Sequence, residues 1–242
     1  MKWTVVTIFL VISLTNAEDV QEKRGVLRRT TRQALNSMST SFLQQTERNI
    51  INNCNKHKTL SYTDEQDLKE TFDTMKRCVQ KSPIFTVSKQ DFLDKIEECS
   101  RDSIKKVKNC LASNQQYFPD FILNLSKSMV HFLYDDKPLF SDYKVTSCIS
   151  TLGRYSILLE YIECLKTTSA KTHDDQNIPI SQEEFCNRYV PATECFPGTL
   201  RKHCDNNDRV DKFLTDFLGA TTQPCKSDYQ TSYAGLSNKI DA

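Results

Sequence analysis

Apolar residues recur along most of this chain at intervals of three and four, the period of one face of an α-helix. A first helical segment of about 25 residues carries Leu35, Met38 and Phe42 and then Ile50, Ile51 and Cys54. A second has Leu68, Phe72, Met75 and Val79 in one stripe, opens on the box Thr63-Asp64-Glu65-Gln66 and ends at Ser82-Pro83. Ser88-Lys89-Gln90-Asp91 opens a third, with Phe92, Ile96, Cys99, Ile104, Val107 and Cys110 inward. Pro119 suits the first turn of a fourth, striped by Ile122, Leu125, Met129 and Phe132 or Leu133. After a turn at Asp135-Asp136-Lys137-Pro138, a fifth helix is expected to place Val145, Cys148, Leu152, Leu159 and Ile162 on one side.

The segment from Thr167 to Pro179 is polar, and residues 167–180 read as a loop or subdomain boundary. Ser181-Gln182-Glu183-Glu184 caps a segment with Phe185, Cys186 and Tyr189, which Pro191 and Pro197 are expected to break into short pieces. Asp208 is expected to cap a last helix, bearing Val210, Phe213, Leu214 and Phe217 and closed by Gly219. No alternating strand pattern competes with these stripes. Five Gly and seven Pro are too few for a turn-rich β-sandwich or barrel. The expected fold is all-α, a bundle of about six to eight helices.

The start of the chain changes the picture. Met1-Lys2, the apolar run Trp3 to Leu14 and the small-residue site Thr15-Asn16-Ala17 read as a secretory signal over residues 1–17. Residues 18–32 are polar and hold the dibasic pairs Lys23-Arg24 and Arg28-Arg29, the mark of a trimmed pro-segment or simply of a solvated N-terminus. Residues 33–226 form one helical cysteine-rich domain, and 227–242 a flexible polar tail without the hydrophobic end of a GPI anchor. No later run has eighteen apolar residues. Phe118 to Tyr134 is interrupted by Asp120, Asn124, Lys127 and His131, so no membrane span is expected.

Export assigns a role to the cysteines. Cys54, Cys78, Cys99, Cys110, Cys148, Cys164, Cys186, Cys195, Cys204 and Cys225 would enter an oxidising compartment, and ten suits five disulfides. Their gaps run from 9 to 38 residues, unlike the close pairs of zinc sites. On the order of a thousand complete pairings are open. One pair can be guessed: if the fourth and fifth helices form a hairpin, Cys110 lies near Cys164.

Catalytic chemistry is not evident. His57, His131, His173 and His203 form no His-Glu-x-x-His pair, and His173 beside Asp174 and Asp175 fits a solvated loop better than a metal site. There is no Gly-x-Ser-x-Gly elbow, Walker loop or dinucleotide fingerprint. Glu97-Glu98 and Glu183-Glu184 are adjacent residues of a helix, which do not face each other across a substrate. No metal, cofactor or catalytic residue is assigned. The formal net charge is +1, giving no electrostatic reason to expect nucleic acid. Asn124-Leu125-Ser126 is the single N-glycosylation sequon. Thirteen Phe and nine Tyr could line an apolar cavity, and Phe72, Met75, Phe121, Ile122, Met129 and Phe132 are the side chains expected around it.

Phe185-Cys186, then Cys195, Leu200 and Cys204, then Val210, Phe213, Leu214 and Phe217 and a closing Pro224-Cys225 resemble the C-terminal half of the insect 27 kDa hemolymph glycoproteins. Cys110-Leu111, followed by the helix with the Asn124 sequon, resembles that family's glycosylated middle segment. The resemblance implies a secreted helical protein without an assigned activity, and it brings no catalytic signature. The sequence thus leads to an extracellular non-enzymatic protein of body fluid or glandular secretion, acting on an unknown protein or a small apolar ligand. The alternatives are a carrier of an apolar ligand within the bundle, a salivary, venom or seminal effector, and last a hydrolase built around His131 or His203.

Overall fold

The computed structural model describes residues 46–169 and 178–226. The expected signal, the dibasic stretch, the start of the first helix, His173 and the polar tail lie outside them. Among the described residues there are nine α-helices and no strand. They are α1 (46–58), α2 (Tyr62–Gln80), α3 (Lys89–Cys110), α4 (Tyr117–Asp135), α5 (Lys137–Phe140), α6 (Tyr143–Ser150), α7 (Tyr155–Ser169), α8 (Gln182–His203) and α9 (Asp208–Thr222). Single 3₁₀ turns sit at Ser113–Gln115, Thr151–Gly153 and Gln223–Cys225.

The helix starts follow from their caps, two of them displaced from expectation. The N-cap of α2 is Ser61, not Thr63: Ser61 Oγ accepts from the Asp64 N–H, and the Asp64 carboxylate accepts from the Ser61 N–H. Ser61-x-x-Asp64 completes the reciprocal box two residues earlier and adds about half a turn to the helix. Asn207, not Asp208, caps α9, its side chain accepting from the Arg209 N–H. Ser88 and Ser181 cap α3 and α8 as their sequences suggest.

Further expectations differ from the structure. The fifth helix is two helices, α6 and α7, because the 3₁₀ turn Thr151–Gly153 and extended Arg154 rotate the register. Ile157 and Tyr161 therefore face the core while Leu159 is 45 % exposed and Ile162 only half-buried. Pro138 lies inside the short α5 rather than in an open turn, and α7 stays helical through Thr167 and Thr168. Gly219 closes nothing: it has no left-handed backbone, and α9 runs on to Thr222.

Pro191 and Pro197 likewise do not break α8, which is continuous from Gln182 to His203. Three disulfides hold it instead. Cys186, Cys195 and Cys204 are nine residues apart, two and a half helical turns, so successive sulfurs leave opposite sides. They bond Cys225 in the last 3₁₀ turn, Cys164 on α7 and Cys148 on α6. The remaining bridges are Cys54–Cys110, from α1 to the end of α3, and Cys78–Cys99, between α2 and α3. All ten cysteines are paired, and the guessed Cys110–Cys164 bridge does not form. The physical reason is that α4 folds back on α3 and packs on α9 rather than forming a hairpin with α7, so Cys110 meets Cys54 of α1.

The core is continuous. α2 and α3 form a hairpin, α3 packs on α4, and α4 lies against α8 and α9, with α7 on the far side of α8. Phe72, Phe92, Leu125, Met129, Phe185, Tyr189, Phe196, Leu200, Phe213 and Phe217 are all buried in it. Each fully buried large side chain contributes roughly 1.5–3 kcal/mol relative to exposure, so the disulfides reinforce a core that already exists.

Candidate functional site

The side chains expected to line an apolar cavity fall on two helices. Phe72 and Met75 belong to α2, whereas Phe121, Ile122, Met129 and Phe132 belong to α4. α4 does not hold its four around one space. Phe121 meets Phe185 and Tyr189 edge-on, with centroids at 4.6 and 5.8 Å. Phe132, three turns on, meets Phe140, Phe213 and Phe217 at 5.5, 5.6 and 5.8 Å. Tilted and edge-on contacts at these separations are favourable aromatic packing, and they occupy ring faces that a ligand would need. Met129 is buried between these two groups in sequence, while Met75 and Ile122 are only partly buried.

A polar feature missed by sequence reading lies where α1 meets the start of α4. Asn53 and Gln115 are both buried. Asn53 Oδ1 accepts from the Ile178 N–H at 3.2 Å, and Gln115 Nε2 donates to the Ile178 carbonyl at 2.6 Å. Tyr117 then donates to the Pro179 carbonyl at 3.0 Å. Burial, and after it the charge of Glu184, pushes the Tyr117 phenol well above its ordinary value, so it remains a donor. These amides bracket the backbone that enters α8. Buried donors and acceptors have to be met in this way. Neither Asn53 nor Gln115 belongs to a recognisable motif, since their partner is main chain 63 or more residues away.

The histidines separate. His57 and His131 are exposed. His203 Nε2 lies 2.6 Å from the Glu160 carboxylate, to which Lys202 also donates at 2.7 Å. Lys202 first, then His203, holds the Glu160 carboxyl below its usual value. A carboxylate kept ionised by two basic neighbours is a weak proton acceptor. The trio ties α7 to the last turn of α8, where basic side chains suit the negative end of the helix dipole.

Asn124 is half-buried on the arc of α4 that includes exposed His131. Ser126 Oγ donates to the Ile122 carbonyl at 2.8 Å. An open trough of about 510 Å³ runs along the outward face of α2, past Lys69, Glu70, Asp73, Lys76 and Arg77. Its charges are of both signs, which suits a solvated helix face. Among the described residues no three His, Cys, Asp or Glu side chains gather as metal ligands, and no helix is long and apolar enough to cross a membrane. No protein-family profile, no curated protein and no solved structure matches this chain.

Proposed function

We propose that this is a secreted, extracellular protein without catalytic activity that works by binding. The observation that carries the reading is the pairing of every cysteine into five disulfides, a state that persists in oxidising compartments and not in the cytosol. The signal-like residues 1–17 supply the route of export. Pairing also leaves no thiolate for nucleophilic chemistry, and His203 is committed to a surface contact with the Glu160 carboxylate. The partner is a protein or a small apolar molecule met in body fluid or a glandular secretion, as the resemblance to the hemolymph glycoproteins implies. Asn124 carries an N-linked glycan in this reading.

Expression of the full chain in a eukaryotic secretory cell tests it. The protein should appear in the medium beginning at Glu18, with no titratable thiol, and glycosidase treatment should shift its mass only when Asn124 is present. Retention inside the cell with reduced cysteines would overturn the reading.

A further inference from the structure

The α2–α3 hairpin is joined to the rest of the described structure differently from every other part. Cys78–Cys99 closes it and Cys54–Cys110 ties it to α1, but no disulfide links residues 46–110 to residues 148–225. Lys76 of α2 pairs with Glu47 of α1, and beyond α1 the hairpin's contact is chiefly α3 on α4, an antiparallel seam with three ion-pair rungs. Lys89–Asp135, Glu97–Lys127 and Lys108–Asp120 stand at 2.7, 2.5 and 2.6 Å.

The two ends of the seam differ. At one end the chain crosses through Leu111 and Ala112, both in extended conformation, before the 3₁₀ turn Ser113–Gln115. At the other, the hairpin tip rests on Tyr134 of α4. The Tyr134 hydroxyl accepts from the Phe85 N–H at 3.0 Å and donates to the Val87 carbonyl at 3.1 Å. The Phe85 ring lies 5.1 Å from the Tyr134 ring, with the Lys137 ammonium 4.9 Å from its centroid. Phe85 has φ 68°, a left-handed backbone that a residue with a Cβ and a ring avoids. Strained backbone persists only where its surroundings hold it, and it gathers at switch segments.

We propose that the α2–α3 hairpin is a gate on α4, hinged at Leu111–Gln116 and latched by the Tyr134 hydroxyl on the strained Phe85 tip. Release of the latch lets Phe85 relax, frees the tip and swings α3 from α4, exposing the apolar surface between them. The disulfides on either side keep the hairpin and the C-terminal half intact as they part, so the hairpin moves as a rigid body, parting from α4 along the seam and from α1 at the Lys76–Glu47 ion pair.

Hydrogen exchange on the full oxidised chain tests the gate with Tyr134→Phe, which removes one oxygen and keeps the ring. Loss of a hydroxyl shared by two hydrogen bonds should speed exchange of amides in residues 81–110 about fivefold and leave α8 and α9 unchanged. A second variant, Glu97→Gln with Asp135→Asn, removes two rungs without touching the latch and should act on the same amides. Fluorescence of the dye anilinonaphthalene sulfonate, a probe of apolar surface, should rise in both variants. An unchanged hairpin, or equal acceleration in α8 and α9, would overturn the proposal, because the first means no latch and the second means global unfolding.

Discussion

Between Cys110 and Cys148 lies a stretch of chain that no disulfide crosses: Cys110 pairs back to Cys54, and Cys148 forward to Cys204. The framework is two closed sets, Cys54–Cys110 around Cys78–Cys99, and Cys148–Cys204 around Cys164–Cys195 interlocked with Cys186–Cys225. α4 lies between the sets, carries no cysteine and packs on both.

A single cut therefore has opposite consequences depending on its place. A protease site engineered at Ser141-Asp142 should give two fragments on a denaturing gel without reductant. A site engineered at Asp174-Asp175 should give one band until reductant is added, since Cys164–Cys195 and Cys148–Cys204 both span it. A single unreduced band from the first cut would contradict the pairing.

Caps provide a local test. Ser61→Ala should destabilise the protein by about 1 kcal/mol, the usual value of a lost N-cap, while Thr63→Ala should change it by only a few tenths. Asn207→Ala and Asp208→Ala should divide in the same way, since Asn207 holds the Arg209 N–H. Urea midpoints at constant m-value read all four.

These caps also show what the sequence made legible. The 3.6 period located α2, α3, α4, α9 and the start of α8 because each buries one stripe against a neighbour, and even cysteine number foresaw complete pairing. Starts slipped by one or two residues where a second capping pattern overlapped the first, as Ser61 does Thr63. The continuity of α8 was hidden because proline rules are local, whereas Cys186, Cys195 and Cys204 hold this helix from outside. The Asn53–Gln115 bracket and the Glu160–His203 pair were hidden because their partners come from distant segments. Of the six expected lining residues, Phe72, Phe121, Met129 and Phe132 are buried in the core and Met75 and Ile122 only partly, because rings that could enclose a ligand also pack on one another.

The prolines of α8 should respond unequally. Pro191 is exposed, and Ala there restores an N–H that can donate to the Asn187 carbonyl without emptying any packed space. Gain of that bond outweighs the greater freedom of the unfolded chain, so Pro191→Ala should stabilise by about 1 kcal/mol. Pro197 is buried, and Ala there leaves a void that offsets the regained bond. Pro197→Ala should therefore be neutral or destabilising in thermal unfolding, and equal gains from both would show that packing at Pro197 is immaterial.

Acid and alkali should act at different seams. The Glu160 carboxyl is held below its ordinary value of 4.5, chiefly by Lys202 and then by His203. A depressed folded-state value means that its stabilisation is present above about 4.5 and is lost as pH falls through the folded value. Asp142, held low chiefly by Arg209 between α6 and α9, adds in the same direction below its ordinary 3.8. Lys212 has the opposite sign. Asp136 first and then Asp216 raise its ammonium above the ordinary 10.5, so its contribution is complete below that value and fades only in strong alkali. Urea midpoints should thus fall below pH 4.5 in the wild type, and the Glu160→Gln variant should lose part of that slope while matching the wild type's response to alkali. These groups lie at the surface, so 1 M salt should shrink the acid difference between the two proteins. An identical acid slope in wild type and Glu160→Gln would mean that the carboxylate contributes nothing to holding α7 against α8, leaving Cys164–Cys195 and the Tyr161–Phe196 packing as their ties.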